Sequence, residues 1–488
     1  MLAGNGLPLY DLDFDSKESC MSSMNSILDA QRAPHRREPD PSHQDRCRDL
    51  RALKRLLTEN SDAIIDAICQ DYGNRSRHET AFAELIPALD TIQHTLGHVR
   101  GWMKVRRRKV DGMMFPGATN TVIPQPLGVV GLIMPWNFPV NLTFIQLASV
   151  FAAGNRAMVK MSENSVALSR LLIEIAPKYL PTEKLAFLEE TGGVGIEFSK
   201  LPFDLIIFTG SGQTGRAVMA SASENLTPVI LELGGKSPAI IDPRYPMEKA
   251  VERIMFAKQF NAGQICTNVD YVFVGSNQVD EFSEAAKSWT SQHVPDIASN
   301  DYTSIIDDVA YERLMDTLQD ATEKGATVVN LCGDQQPNPS ERKIPLYLVL
   351  NTTGDMMIRK RETFGPLLMV LPYDDPGEVI EYVNDGPTPL ALYPFTNDNA
   401  LAERYISEIP SGGVTINDAL LHVIQHDLPF GGQGQSGMGH YHGKEGFDAC
   451  SKLRPIFHQT RFSGLKFLSP PYGKAASRVL DWLLKLKS

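Results

Sequence analysis

The sequence is poor in cysteine, with six residues among 488 and no C-x-x-C pair. Zinc sites and disulfide frameworks need cysteines at matched spacings, so we expect neither, and we expect no bound metal. Free thiols fit a reducing compartment. The first residues, MLAGNGLPLYDLDFD, lack the basic start and apolar run of a secretory signal. Together these absences predict a cytoplasmic protein.

Long apolar runs and excess positive charge are missing as well. The longest nearly apolar stretch, residues 141–154, is too short to cross a bilayer. The 47 basic residues stand against 58 acidic ones, and the net charge of -11 argues against nucleic acid as a partner. The single basic run, 106–109, is interpreted as a solvated surface. Hydrophobic residues at 42% are sufficient for large cores.

The chain beyond Gly117 alternates short apolar runs with amphipathic stretches. Such alternation is typical of an open α/β sheet. The runs expected to be buried strands are 128–134, 156–159, 205–208, 229–231, 239–241, 271–274 and 367–371. The helical stretches between the first of them are 141–151, 165–178 and 215–222.

Both ends of the chain differ from this pattern. Residues 1–41 are rich in Ser, Pro and Arg and are expected to form an arm. Two helices should follow, one from Ser42 to a stop at Gly73 and one from Ser76 towards Trp102. A stripe of apolar residues at 475–486 predicts a C-terminal helix that packs on the protein's own body or on a partner subunit; an interfacial membrane helix is the alternative.

A glycine-rich turn follows one of the predicted strands. Gly210, Gly212 and Gly215 form the pattern G-x-G-x-x-G between a strand and a helix. Glycine there lets the amides at a helix N-terminus approach a pyrophosphate. The turn therefore indicates a dinucleotide site.

Two glutamates compete for the ribose of that dinucleotide. Glu232 ends the strand after the glycine turn, where the usual fingerprint places its acid. Glu163 follows Lys160 at the end of an earlier strand and offers an acceptor beside a cation. Spacing alone leaves both assignments open.

One cysteine differs from the others because it lies among small and polar residues. Cys266 has a possible base in Glu232 and a possible oxyanion donor in Asn137, whose segment is stiffened by the flanking Pro135 and Pro139. A thiol, a base and an amide donor are the parts of covalent acyl chemistry. Beside a dinucleotide site, they suggest oxidation of a carbonyl through a thioester.

These motifs together resemble the aldehyde dehydrogenase family, in the family's order and over about residues 40 to 460. The matching pieces are PWNFP (135–139), KMSE (160–163), FTGS (208–211), LELGGK (231–236), GQIC (263–266), ETFGP (362–366) and LPFGG (428–432). The stretches at 428–447 and 466–473 resemble the class 3 branch, especially its coniferyl aldehyde dehydrogenases.

The resemblance implies a role for each site residue. Cys266 is the nucleophile, Glu232 the general base and Asn137 the oxyanion donor. The resemblance also resolves the ribose question, because it assigns Lys160 and Glu163 to the adenosine ribose. The remaining residues implied for the cofactor are Trp136, Gly210, Ser211, Gly215, Leu233, Glu362 beside the nicotinamide ribose and Phe364 beside the nicotinamide. A carboxylate at the 2′-hydroxyl favours NAD, with NADP also possible.

The implied fold is α/β, with a Rossmann-like cofactor domain, an α/β catalytic domain and a small bridging region used in oligomerisation. A homodimer and a small aldehyde substrate follow from the same resemblance. The substrate is either a coniferyl-type aromatic aldehyde or a medium- to long-chain aliphatic one. The expected division is an arm at 1–41, an NAD-binding domain at 42–232 with 110–127 contributing to bridging, a catalytic domain at 233–417 and a bridging C-terminal region at 418–488.

Two other functions remain as alternatives, a cysteine acyl-transferring hydrolase and a catalytically silent structural relative. A metal site is a weaker idea still. His422 and His426 lie four residues apart and His440 and His442 lie close in sequence, but no HExxH pattern or cysteine partner accompanies them.

Overall fold

The computed structural model of the protein describes residues 14–190, 193–461, 463, 465 and 469–488, with 14–20 described by their backbone alone. These residues form three β-sheets flanked by helices, which confirms the expected α/β class. The motif at 466–473 and the arm at 1–41 lie partly outside the described residues. Within the described ranges, no helix is long and apolar enough to span a bilayer.

The first large sheet has six strands and contains the four strands predicted before residue 232. All its pairs are parallel except the one at the edge formed by the two-residue strand 437–438. That edge strand comes from the expected bridging region, so the sheet combines distant parts of the chain. Its strands, in spatial order, are Gly437–Met438, Val229–Leu233, Leu205–Gly210, Val129–Ile133, Arg156–Lys160 and Leu185–Leu188.

The second large sheet has seven strands and follows the first in the chain. Its pairs are parallel except the antiparallel one at the Thr327–Asn330 edge. Its strands, in spatial order, are Thr327–Asn330, Tyr347–Leu350, Leu367–Tyr373, Val269–Gly275, Ser237–Ile241, Ala391–Phe395 and Gly413–Val414.

A small antiparallel sheet stands apart from the two large ones. Its central strand Thr119–Pro126 pairs with Arg106–Arg108 on one side and with Ser451–His458 on the other. Arg106 is not simply solvated as expected, because its guanidinium forms an ion pair with Asp448.

The helices cover both faces of the large sheets. Longer helices are Phe14–Arg37, His43–Glu59, Ser61–Tyr72, Ile86–Trp102, Pro139–Ala152, Val166–Ile175, Gly212–Ser223, Met247–Gln259, Val279–His293, Asp308–Glu323, Pro376–Asp385, Asn399–Glu408 and Lys474–Lys487. Shorter helices and helical turns are Arg77–Thr80, Ala81–Leu85, Ala176–Lys178, Val194–Ser199, Phe260–Gly263, Ser276–Gln278, Met357–Lys360, Gly434–Ser436 and Gly443–Ala449.

The helices at the start of the chain differ from the expectation in two places. The single helix expected from Ser42 to Gly73 is broken at Asn60, whose side-chain amide donates to the carbonyl oxygen of Leu56 at 2.8 Å. This local bond offers the backbone an alternative to a continuous helix.

The segment expected as a poorly patterned arm contains the helix Phe14–Arg37. Met24 and Leu28 are buried against the six-stranded sheet, and the Gln31 amide donates to the carbonyl oxygens of Ala157 and Thr182, both at 2.9 Å. The helix was not predicted because its composition is polar and only a few of its residues contact the six-stranded sheet.

Candidate active site

The predicted site residues converge where the edges of the two large sheets meet. Parallel strands end together, and ligands bind α/β sheets at their carboxyl ends. In the six-stranded sheet, Lys160 and Leu233 are the last residues of their strands. Trp136 and Asn137 follow shortly after the strand Val129–Ile133.

The seven-stranded sheet contributes residues from its opposite, amino edge. Cys266 lies just before the strand Val269–Gly275, and Glu362 and Phe364 lie just before Leu367–Tyr373. The rings of Trp136 and Phe364 meet edge to face with centroids 5.4 Å apart. The structure therefore brings predicted residues from both sheets into one cleft.

A tight turn carries the half-buried Cys266. Asn261, Ala262 and Gly263 all have positive φ, at 52°, 49° and 76°. A Cβ on Gly263 would collide with the carbonyl oxygen of Gly365. The backbone therefore requires glycine there, for conformation and for space.

Buried amide side chains hold this turn in place. The Gln264 side chain donates to the carbonyl oxygen of Ser304 at 3.1 Å and accepts from the amide of Ile306 at 3.0 Å. The Asn268 side chain donates to the carbonyl oxygen of Gly263 at 2.6 Å. The cysteine is thus presented by a backbone with little freedom.

Asn137 is buried and is attached to the cysteine turn. Its side-chain amide donates to the carbonyl oxygen of Gln264 at 3.3 Å. Its own carbonyl oxygen accepts from the Tyr72 hydroxyl at 3.2 Å and from the Asn261 side chain at 3.3 Å. The amide and the turn that carries the cysteine therefore form one hydrogen-bonded unit.

A buried ion pair supports the helix that follows Asn137. Glu84 accepts from the amides of Val140 and Asn141 at 3.0 and 2.7 Å, at the start of the helix Pro139–Ala152. It also pairs with Arg75 at 2.8 Å, and both side chains are fully buried. Neither residue was predicted from the sequence, since each lies in a segment that carries no motif.

The surroundings of Cys266 disfavour the thiolate form of its side chain. Burial raises its pKa to about 12, and the negative charges of Glu362 and Glu232 add to this effect. The backbone amides of Thr267 and Cys266 oppose it without reversing it. Attack on a carbonyl therefore needs the thiol to lose its proton within the assembled site.

Glu232 is a buried carboxyl group with unused hydrogen-bonding capacity. Neither of its oxygens has a partner among the described residues. Burial raises its pKa well above the ordinary value. A carboxyl in this state is suited to take up a proton from water in the cleft.

Lys160 lies between two carboxylates at the end of its strand. Its ammonium is 3.7 Å from Glu163, which is 70% exposed, and 2.8 Å from Glu190, which is 11% exposed. Glu190 was not among the predicted residues. Its position two residues beyond the strand Leu185–Leu188 was the available signal, because ligands bind at such strand ends.

The glycine turn packs as a strand–helix junction. Gly210 ends its strand, and the Ser211 hydroxyl accepts from the amide of Thr214 at 3.2 Å at the start of the helix Gly212–Ser223. A Cβ on Gly215 would lie 2.7 Å from a methyl group of Leu233. Gly215 therefore allows the helix to approach the strand closely.

The cleft fits a nicotinamide adenine dinucleotide by the chemistry of its donors. It offers a helix N-terminus capped by a small residue, a lysine and acids at strand ends, and the ring of Phe364. Burial and the charge of Asp270 raise the pKa of Glu362 to about 8. A carboxyl of this kind can either donate to or accept from a ribose hydroxyl.

The histidines near the C-terminus have other partners. His422 is hydrogen-bonded to the Thr415 hydroxyl at 2.8 Å, and the buried His442 stacks on Phe430. Across the described part of the chain, no group of three or more His, Cys, Asp or Glu side chains could hold a metal ion.

The fold and the arrangement of the site are typical of a nucleotide-dependent α/β oxidoreductase, and comparisons with known proteins agree. The sequence matches the aldehyde dehydrogenase family over residues 19–456. It is 45% identical over 461 residues to a probable coniferyl aldehyde dehydrogenase of Pseudomonas aeruginosa, covering 94% of this chain and 96% of that protein. It is 39% identical over 465 residues to a coniferyl aldehyde dehydrogenase of a Pseudomonas species, covering 94% and 96%.

A solved structure is similar over the same extent. The substrate-bound AldH of Staphylococcus aureus superposes with a TM-score of 0.88 at 31% identity, covering 94% of this chain and 99% of that one. The chain belongs to the aldehyde dehydrogenase family. It is an NAD(P)-dependent enzyme that oxidises aldehydes. Family membership therefore favours aldehyde oxidation over the two alternatives, a cysteine acyl-transferring hydrolase and a catalytically silent relative.

Proposed function

We propose that Cys266, Glu232 and Asn137 perform this oxidation, and that the substrate is a coniferyl-type aromatic aldehyde. The observation that supports the roles most directly is the cysteine turn itself. It holds Cys266 beside the Asn137 amide and within the electrostatic reach of an unpartnered Glu232.

In the first step the Cys266 thiol gives its proton to water in the cleft, and the resulting thiolate attacks the aldehyde carbon. A carbon–sulfur bond forms, and the carbonyl π electrons move to oxygen to give a thiohemiacetal oxyanion. The Asn137 side-chain amide and the Cys266 backbone N–H donate to that oxyanion. When bound, the oxidised nicotinamide nucleotide supplies the acceptor for the hydride that leaves this carbon. The oxygen re-forms its carbonyl bond, and a thioester remains on Cys266.

The second half of the reaction is hydrolysis of the thioester. Glu232 takes a proton from water, and the resulting hydroxide adds to the thioester carbon. The carbon–sulfur bond breaks, the carboxylic acid leaves, and Cys266 is restored. The pKa of Glu232, raised by burial, suits this proton transfer.

The roles can be tested with two variants that fail at different steps. C266S should abolish aldehyde oxidation but retain NAD+ binding. E232Q should form the thioester, so that a stopped-flow trace shows a burst of about one NADH per site and then slow turnover. C69S is the matched control, because Cys69 is a free thiol on the helix Ser61–Tyr72 and is not one of the predicted site residues. Wild-type turnover in E232Q, or loss of its burst, would contradict the assignment.

An aromatic wall beside the cysteine supports the choice of substrate. Phe260 packs against Phe82, Phe138 and Phe256 with centroids 5.6 to 6.4 Å apart. Ile265, which precedes Cys266, is buried in the same cluster. Phe82 and Phe256 remain 57% and 45% exposed, so the wall offers free ring surface to an apolar substrate. Three relatives named as coniferyl or probable coniferyl aldehyde dehydrogenases point to the same class.

A panel of aldehydes tests the substrate. The kcat/KM of coniferyl aldehyde should exceed that of unbranched aliphatic aldehydes with six to twelve carbons, each measured with NAD+ and with NADP+. F82A should lower kcat/KM for coniferyl aldehyde by about fivefold, since one lost aromatic contact is worth about 1 kcal/mol. It should leave acetaldehyde oxidation nearly unchanged. A preference for a long aliphatic chain would instead favour the second substrate class.

For the assembly, we propose a homodimer formed through the small sheet. The strand Ser451–His458 lies at an edge, and among the described residues it pairs with Thr119–Pro126 alone. Leu453 and Phe457 on it are 38% and 47% exposed. A long edge strand with apolar side chains is a template for pairing with a second copy.

The organisation of the whole chain is part of the same proposal. The NAD-binding, catalytic and bridging parts are 42–232, 233–417 and 418–488, with 110–127 in the bridge, and the enzyme is cytoplasmic. The helix Lys474–Lys487 packs on the partner rather than on a membrane. In a single subunit only Ala476 of this helix is buried.

A further inference from the structure

The end of the cleft assigned to the adenosine ribose contains a second acid besides Glu163. The carboxylate of Glu190 lies 2.8 Å from the Lys160 ammonium, and both side chains are nearly buried, at 11% and 7% exposure. Glu163 stands on the open side of the same ammonium, at 3.7 Å and 70% exposed. One cation thus lies between two carboxylates.

Glu190 also binds the backbone beyond it. One of its oxygens accepts from the amide of Val194 and the other from the amide of Gly195, each at 2.9 Å. Burial alone would raise the pKa of Glu190, but the Lys160 ammonium and the two amides outweigh it and hold the pKa below its ordinary value. The carboxylate is therefore charged at neutral pH.

We propose that Glu190 is a specificity-determining residue that makes this enzyme discriminate against NADP. It does so by occupying Lys160 and the amides of Val194 and Gly195, and by adding a second negative charge at the ribose. The inference rests on the proposed placement of the adenosine ribose at Lys160 and Glu163.

Charge and the supply of N–H donors decide which nucleotide this corner accepts. The 2′-phosphate of NADP carries a charge of about -1.5 to -2 and needs cations or N–H groups to balance it. The nearest cation is already neutralised by Glu190, and the two amides already donate to the same carboxylate. A neutral 2′-hydroxyl meets no such penalty, because it can donate to a carboxylate. Two acids around one lysine therefore favour NAD.

Gly195 shows how closely the Glu190 carboxylate, the Lys160 ammonium and the backbone pack together. A Cβ on Gly195 would be 3.3 Å from both the Lys160 ammonium and a Glu190 oxygen. The lysine, the acid and the glycine backbone thus form one compact corner. A change of charge at Glu190 would directly change the electrostatic interaction energy of the Lys160 ammonium.

The decisive experiment compares E190Q with E189Q. E190Q removes the charge and keeps one acceptor oxygen, which can serve only one of the two amides, so the free energy of unfolding is measured to check that the local fold persists. E189Q removes the adjacent carboxylate, which instead pairs with Arg170 at 2.9 Å on the surface. Dissociation constants for NAD+ and for NADP+ are measured by tryptophan fluorescence quenching or by calorimetry, without aldehyde.

We expect E190Q to improve NADP+ binding relative to NAD+ by about tenfold, as the loss of one charge several ångströms from a phosphate implies. E189Q should leave the ratio as in the wild type. An unchanged ratio in E190Q would overturn the proposal, as would an equal weakening of both nucleotides, which would mean that Glu190 only supports the lysine. If the wild type oxidises aldehydes and E190Q leaves the ratio of the NADP+ and NAD+ dissociation constants unchanged, this inference alone is refuted. Absence of nucleotide binding in the wild type would also refute the proposed cofactor site.

Discussion

The pKa of Cys266 determines how the protein reacts before its nucleotide binds. Burial raises this pKa to about 12, with the charges of Glu362 and Glu232 adding to the shift. Since the pKa lies far above neutrality, the thiolate fraction at pH 7 is very small and must grow as the pH rises. A protein in this state is protected from alkylation and oxidation until the site is assembled.

The raised pKa of Cys266 gives a direct prediction for alkylation by iodoacetamide in the absence of nucleotide. The rate at Cys266 should rise about tenfold per pH unit between pH 7 and pH 10, because the thiolate fraction follows the pH below its pKa. Peptide mass spectrometry identifies the modified site, and C266S gives the background from the other thiols. A plateau near pH 9 would show an ordinary thiol and contradict the assigned environment.

At the scale of single residues, the sequence was informative where a motif was present. The proposed roles of Cys266, Glu232 and Asn137 came from the family resemblance of their motifs, since spacing alone left the role of Glu232 open. Glu190 could not, because its importance arises only from the contact with Lys160 thirty residues earlier in the chain. From the sequence alone, an isolated glutamate after a strand cannot be distinguished from a solvated acidic residue.

At the scale of elements, the helix Pro139–Ala152 connects the site to the core. Apart from Asn141 all of its residues are buried, including the polar Thr143 and Gln146. Its N-terminal amides are satisfied by Glu84 from a distant helix rather than by a local cap. Arg75 balances Glu84 and also lies over the rings of Tyr72 and Phe138.

Removing Glu84 should therefore destabilise the protein strongly. E84A leaves the Arg75 guanidinium buried without its partner, which typically costs about 3–5 kcal/mol. The free energy of unfolding is measured by urea denaturation with two probes, and E84Q gives a smaller perturbation if E84A fails to fold. E174A is the control, since Glu174 pairs with Lys178 on the surface and should change stability by less than about 1 kcal/mol. Equal effects of E84A and E174A would refute the role.

The sequence predicted the type of most elements but not their ends or interruptions. Seven strands of the large sheets were predicted because runs buried on both faces are continuously apolar. Other strands of the same sheets were missed, among them Leu185–Leu188, Tyr347–Leu350 and Ala391–Phe395. The break at Asn60 and the helix Phe14–Arg37 were missed. The break depends on one side-chain hydrogen bond, and the helix is stabilised by contacts with a sheet far along the chain.

At the scale of the whole molecule, the edge strand Ser451–His458 is the proposed contact with a second subunit. Leu453 and Phe457 project from it and are partly exposed in a single subunit. The Phe457 ring also packs on Phe115 at 5.3 Å. Leu453 is therefore the better position for a substitution that tests assembly without disturbing the fold.

L453D should weaken the homodimer, because a carboxylate would be buried at the contact without a partner. Sedimentation velocity at several protein concentrations should show a wild-type dimer and a variant with at least tenfold weaker association. V309D is the control, since Val309 is 70% exposed on the helix Asp308–Glu323. A stable L453D dimer would place the interface elsewhere.

The sequence by itself predicted the α/β class and the family, because both depend on patterns and motifs of residues that are neighbours in the chain; the proposed nucleophile, base and amide follow from the resemblance of those motifs. Only the tertiary structure decided which side chains hold those groups. The Asn137 amide meets the turn of Gln264, Lys160 meets Glu190, and Glu84 meets the start of a helix after Asn137. Contacts between distant segments arise when the sheets and helices pack, and local sequence patterns carry no record of them.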